Sequence, residues 1–145
     1  MATTTAVKPN TLSGVKAGIV AGLGGGLVFG MMMALMGMLP MVAMLVKSES
    51  PIVGFLVHMG ISAFIGAVYG LFANRLPAGW IAVVIAGAVY GVIWWVLGAL
   101  IAMPLMLGMS QMVFVIEQPQ IMSLMGHMIY GVITALLFVP LSKRL

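Results

Sequence analysis

Long apolar stretches separated by isolated charged residues dominate this chain. The uncharged runs cover residues 17–46, 50–74, 76–116 and 118–142. Because a membrane-spanning helix needs about 20 apolar residues, each run predicts one spanning helix. In the longest run we expect a helix over 79–103 that breaks at Pro104, followed over 105–116 by a piece of the length of an interfacial or re-entrant segment.

Composition supports a membrane protein and argues against an enzyme. Hydrophobic residues make up 63% of the chain and charged residues 6%, whereas a soluble surface needs about a quarter charged residues. The chain has no Cys, which excludes disulfides and thiolate metal sites. Its two acidic residues, Glu49 and Glu117, lie between predicted helices, and no phosphate loop, catalytic triad or zinc signature is present. The basic residues form no patch, so we expect no nucleic-acid partner.

The distribution of charge predicts an orientation in the membrane. With four spans, one side holds five basic residues: Lys8, Lys16, Arg75, Lys143 and Arg144. The other side holds Lys47 with the two glutamates. The positive-inside rule then places both termini in the cytoplasm, in the cell (inner or plasma) membrane. No apolar segment lies next to the start, so we expect no cleavable signal peptide.

Rare residues recur in a way that predicts an internal duplication. Three pairs repeat at separations of 68 or 69 positions: Glu49/Glu117, His58/His127 and Arg75/Arg144. The chain has only two His and two acidic residues, so chance explains this poorly. We therefore expect a cytoplasmic tail over 1–14 and two copies of a two-helix hairpin, over 15–76 and 77–145. Copies with an even number of spans insert the same way round, as parallel repeats.

The two histidines are the candidate functional residues, because an ionisable residue inside a span marks a function by default. His58 and His127 each lie 17 residues before the arginine that ends their helix, and so at one depth. Helices 2 and 4 are diagonal in an up-down-up-down bundle, with axes roughly 11–14 Å apart. That gap suits a flat ligand held from both sides, and neutral imidazole is a common axial ligand of haem iron. The alternative is structural: each imidazole hydrogen-bonds across the bundle without a cofactor.

Small residues around the histidines extend this candidate site. Gly54 and Ser123 stand four positions before His58 and His127, on the same helix face. On helices 1 and 3, two pairs of matched glycines bracket the histidine level: Gly30/Gly91 and Gly37/Gly98. Missing side chains at these positions would leave room for the edges of a macrocycle.

Histidines on the second and fourth helices, with glycines on the first and third, resemble the four-helix haem bundle of the cytochrome b family. The resemblance implies one b-type haem or related tetrapyrrole between His58 and His127, in a subunit that passes electrons within a larger membrane complex. The chain departs from the family in having one His per helix, which limits it to one haem. It also has no Arg near the outer sites to hold propionates, and Lys47 is the only basic candidate there.

Two other functions remain open. A cofactor-free accessory subunit would use its glycine faces and Trp94 or Trp95 to contact other membrane subunits as well as the bilayer. A Cu(I)-handling protein would use the methionines concentrated in the outer half, such as Met32 and Met36, one helical turn apart. Methionine also serves as an adaptable apolar filler, which is the ordinary reason for its presence in a core.

Overall fold

The structure is a computed structural model that describes residues 10–145, and all regular secondary structure within that range is helical. Four helices are long and apolar enough to cross a membrane: Thr11–Leu35, Pro51–Arg75, Trp80–Met106 and Gln118–Leu141. The prediction of an all-helical chain with four candidate spans is therefore confirmed. The predicted tail over 1–14 lies largely outside the described residues, and the first helix begins within it at Thr11.

The first apolar run forms two helices and not one. Helix α1 spans Thr11–Leu35 and helix α2 spans Leu39–Ala43, followed by a 3-10 turn over Met44–Val46. Gly37 separates α1 from α2 with a φ of 67°, a left-handed conformation that glycine adopts without steric cost. The backbone N–H of Met38 donates to the carbonyl of Met33 at 2.9 Å, which closes the end of α1 in a Schellman turn.

The second and fourth spans each have a proline in their first turn. Helix α3 spans Pro51–Phe72, and the Ser50 hydroxyl caps it by accepting from a first-turn amide. Helix α6 spans Gln118–Leu141, with Pro119 in its first turn and a capping box between Glu117 and Gln120. Proline suits both positions because first-turn amides have no partner within the helix.

The third span continues past the predicted break at Pro104. It consists of helix α4 (Trp80–Trp94), a π-helical segment (Trp95–Ala102) and helix α5 (Met103–Met106). Pro104 cannot donate to the carbonyl of Leu100, and the backbone N–H of Phe114 donates there instead, at 3.1 Å. The helix therefore continues through Pro104 and ends at Met106. A 3-10 turn over Ser110–Met112 then leads towards α6.

Three of the four pairs of neighbouring helices in the bundle pack closely, and the pair α3 and α4 does not. Helix α1 packs between α3 and α6, and α6 also packs against α4. Helices α3 and α4 come together chiefly through side chains: the Tyr90 hydroxyl donates to the carbonyl of Ile65 at 2.6 Å, and the rings of Phe64 and Trp94 lie 6.1 Å apart. The backbones of α3 and α4 are therefore farther apart than those of the other neighbouring helices.

Glycines set the close helix contacts within each hairpin. A Cβ on Gly66 of α3 would meet the backbone of Gly18 and Gly22 on α1. A Cβ on Gly131 of α6 would likewise meet the backbone of Gly87 and Gly91 on α4. These glycines act in helix packing inside the chain, as small residues commonly do in membrane bundles.

Candidate functional site

Both predicted histidines line one cavity of about 360 Å³ inside the bundle. Its wall includes His58, Ser62, Trp94, Gly98, Ser123 and His127. The volume lies within the range of small-molecule sites, which runs from about 300 to 1,000 Å³. The structure thus brings together residues from the second, third and fourth spans.

Several residues that line the cavity are also exposed on the outside of the bundle. Ile61 and Phe64 of α3 and Met106 of α5 belong to its lining and are also 39%, 61% and 69% exposed. In a membrane these side chains would face lipid, since they lie on apolar helices of spanning length.

His58 makes a hydrogen bond that fixes which of its ring nitrogens carries the proton. Its Nε2 lies 2.9 Å from the carbonyl oxygen of Gly26 on α1, and a carbonyl oxygen can only accept. In the neutral imidazole Nε2 is therefore the donor, and Nδ1 carries the free lone pair. The Ser62 hydroxyl oxygen lies 3.4 Å from the same Nε2.

His127 is fixed in the opposite tautomer by its own helix. Its Nδ1 donates to the carbonyl oxygen of Ser123 at 2.8 Å, and the Ser123 hydroxyl oxygen lies 3.3 Å from Nδ1. The free lone pair of the neutral ring is therefore on Nε2. The His58 bond crosses to α1, as the structural alternative expects, whereas the His127 bond stays within α6. Within residues 10–145, neither His58 Nδ1 nor His127 Nε2 has a hydrogen-bond partner.

Phe29 of α1 packs against both imidazoles, which sequence reasoning missed. Its ring centroid lies 5.2 Å from that of His58 and 4.9 Å from that of His127, edge-on to each. Gly126 makes this possible, because a Cβ there would collide with the Phe29 ring. The signal available in the sequence was a glycine directly before His127 and an aromatic residue between the glycines of α1. The Phe29 ring thus lies against both histidines that the sequence proposes as haem ligands.

The other predicted site residues divide into two groups. Ser123 and Gly98 line the cavity, and a Cβ on Gly98 would meet open space. The remaining glycines have backbone or packing roles. Gly37 forms the turn after α1, whereas a Cβ on Gly54 or Gly91 would meet the backbone of Leu39 or His127.

Gly30 also belongs to the packing group, because a Cβ there would press on the Phe55 ring and the His58 ring. It supports the position of His58 without opening space beside it. Trp95, offered as a contact for partners, is buried and donates its indole N–H to the carbonyl of Gln120 at 2.8 Å. Trp94 faces the cavity instead.

Methionines from both hairpins line the cavity. They are Met33, Met38, Met41, Met103 and Met106. The pair proposed from the sequence lies elsewhere: Met32 packs against the core beside the cavity-lining residues, and Met36 caps α1. Within the described range no three His, Cys, Asp or Glu side chains lie close enough to share a metal ion. Any metal held here would depend on thioethers and imidazoles.

Comparison with known protein families, curated proteins and solved structures finds no match to this chain. The site itself must therefore indicate the function. It offers an apolar chamber without a charged residue in its lining, and two imidazole nitrogens with unshared lone pairs. Such a site can hold a neutral molecule and accept hydrogen bonds from it.

Proposed function

We propose that this protein is a small four-helix membrane protein that binds a neutral, lipid-soluble molecule taken from the bilayer. The observation that carries the proposal is the cavity that both histidines line and whose wall includes exposed apolar side chains of α3 and α5. An apolar lining with a few convergent polar groups is typical of small-molecule sites. A charged ligand is disfavoured, because the lining offers no opposite charge to offset its desolvation.

The π-helical segment Trp95–Ala102 supports this proposal from the opposite wall. Such segments are rare and occur frequently at functional sites. Here the wider backbone turn presents Gly98, Ala99 and Ala102 to the cavity. Their small side chains keep open the space that faces the two histidines.

We also infer that the two hairpins derive from a duplication, with both termini in the cytoplasm. Equivalent contacts support this inference. A Cβ on Gly30 would press on the His58 side chain, and a Cβ on Gly91, at the matching position, would press on the backbone of His127. The next glycine towards the N-terminus of each helix, Gly26 or Gly87, faces the residue four positions after the histidine. The two helix pairs thus share one packing register, as copies of one hairpin would.

Cu(I) handling is a second candidate, favoured by the five methionines around the cavity. Thioether and imidazole ligands suit Cu(I), which needs no carboxylate. Metal analysis of protein purified after growth with ample copper tests this candidate. Copper that co-purifies, and is lost when Met33 and Met103 are both changed to Leu, supports it. A metal-free protein excludes it.

Quenching of Trp94 fluorescence tests the binding proposal, because this indole lines the cavity. The protein in lipid nanodiscs would be titrated with 1-bromodecane, whose bromine quenches tryptophan at short range. We expect a saturable component of quenching that disappears in Trp94→Phe and persists in Trp80→Phe, since Trp80 is exposed at the start of α4. Quenching that rises without saturation in every protein reflects partition into lipid alone and contradicts the proposal.

A further inference from the structure

The polar groups that line the cavity differ in which of their hydrogen-bond donors and acceptors remain unpaired within the protein. The Tyr130 hydroxyl, which also lines the cavity, already donates to the carbonyl of Ser62 at 2.7 Å. Each imidazole already donates its one N–H to a backbone carbonyl. A neutral imidazole has one donor and one acceptor, so only the acceptor nitrogen remains on each ring.

The two acceptor nitrogens are accessible. Within residues 10–145, the one fully enclosed side-chain nitrogen or oxygen without a partner is the hydroxyl oxygen of Thr134. His58 Nδ1 and His127 Nε2 are therefore not sealed in the core, although neither has a hydrogen-bond partner. Both residues line the cavity, which places their rings beside a ligand held there.

The serine hydroxyls near the two histidines can act as hydrogen-bond donors. Ser62 and Ser123 each place an oxygen within 3.4 Å of a protonated ring nitrogen, and each keeps its own O–H as a donor. Each serine lies at the protonated nitrogen of its histidine, so it does not compete for the lone pair on the other ring nitrogen, and a ligand hydroxyl can donate to that lone pair. A ketone, quinone or ether oxygen can only accept, which leaves the imidazole lone pair unpaired in an apolar site.

We infer that the cavity selects lipid-soluble molecules that carry a hydroxyl group, such as phenols, hydroquinones or long-chain alcohols, over their carbonyl or ether analogues. This inference rests on the proposed function, because it names the chemical class that the same cavity takes. The site discriminates effectively against carbonyl and ether analogues, because they leave the imidazole acceptor without a hydrogen bond and provide no other contact in its place.

Competition between two matched probes tests the inference. 4-Heptylphenol and 4-heptylanisole differ only in a methyl group on the oxygen, and each would be used to displace 1-bromodecane and restore Trp94 fluorescence. The readout is the ratio of the two half-displacement concentrations, compared between the native protein and His58→Phe/His127→Phe. Because bilayer partitioning of the probes is the same for both proteins, the change in this ratio reports the imidazoles alone.

We expect the native protein to prefer 4-heptylphenol over 4-heptylanisole roughly tenfold more strongly than the double variant does. A factor of this size corresponds to one hydrogen bond to a buried acceptor. Displacement by 4-heptylanisole in the double variant shows that the variant folds and keeps its cavity. Equal ratios in the two proteins overturn the hydroxyl preference but leave the proposed function standing. Absence of saturable quenching by 1-bromodecane in the native protein overturns the proposed function itself.

Discussion

Tyr130 on α6 donates its hydroxyl proton to the backbone carbonyl of Ser62 on α3, across the diagonal of the bundle, at 2.7 Å. Both residues lie within about one helical turn of a histidine, and both line the cavity. The bond therefore holds the two histidine-bearing helices at a fixed separation and forms part of the cavity wall.

Removing this bond should destabilise the bundle measurably. We expect Tyr130→Phe to lower the free energy of unfolding in bicelles by about 0.6 to 1.7 kcal/mol, the range for a hydrogen bond between membrane helices. Tyr69→Phe is the matched control, because the Tyr69 hydroxyl makes no hydrogen bond within residues 10–145. An equal loss in both variants would show that the hydroxyl itself, and not the bond to Ser62, matters.

The glycine contact between α1 and α3 gives a second prediction. Gly66→Ala places a methyl group against the backbone of Gly18 and Gly22, which cannot yield without separating the helices. We expect a loss of about 1 to 3 kcal/mol in the free energy of unfolding, as for other overpacked sites. Gly60→Ala, on the same helix with open space at its Cβ, should change stability by less than about 0.5 kcal/mol. Similar values for the two variants would refute the close contact.

Orientation can be read from single cysteines, because the chain has none of its own. Ala78 and Ser110 are exposed and lie in loops at opposite ends of the third span. In intact cells, a membrane-impermeant thiol reagent should label Ser110→Cys and spare Ala78→Cys, as the positive-inside rule predicts. Opening the cells should make both cysteines reactive. Labelling of Ala78→Cys in intact cells would reverse the proposed orientation.

The haem hypothesis predicts a reduced-minus-oxidised absorption band that disappears in His127→Ala. The arrangement of Phe29 against both imidazoles argues for the opposite outcome. We expect a flat difference spectrum from protein expressed with ample haem. A b-type band that depends on both His58 and His127 would show that Phe29 moves aside to admit the cofactor.

The sequence predicts the four spans well because hydrocarbon thickness alone fixes the length of an uncharged run. The starts of α3 and α6 can also be predicted from the sequence. Pro51 and Pro119 suit a first turn because the amides there have no partner within the helix. Sequence reasoning missed the end of α1. Gly37 and Pro40 redirect the backbone there, but neither adds a charged residue that would interrupt the apolar run. Hydropathy does not detect such a turn.

The site could be predicted only in part. Matched spacing predicts one depth for His58 and His127, and both line one cavity. The position of Phe29 depends on how α1 and α6 cross, and on the space that Gly126 leaves for its ring. The passage of a helix through Pro104 depends on a backbone bond from Phe114, remote in sequence. Neither long-range relationship has a periodic signal in the sequence.

The central claim is that the cavity beside the two histidines holds a molecule from the bilayer, and a pair of leucine substitutions tests it most directly. Gly98 lines the cavity and Gly60 faces outward, and a Cβ at either position meets open space. Saturable quenching of Trp94 by 1-bromodecane should be abolished in Gly98→Leu, which fills the cavity, and retained in Gly60→Leu. Undiminished saturable quenching in Gly98→Leu, in a protein that remains folded, would contradict the claim.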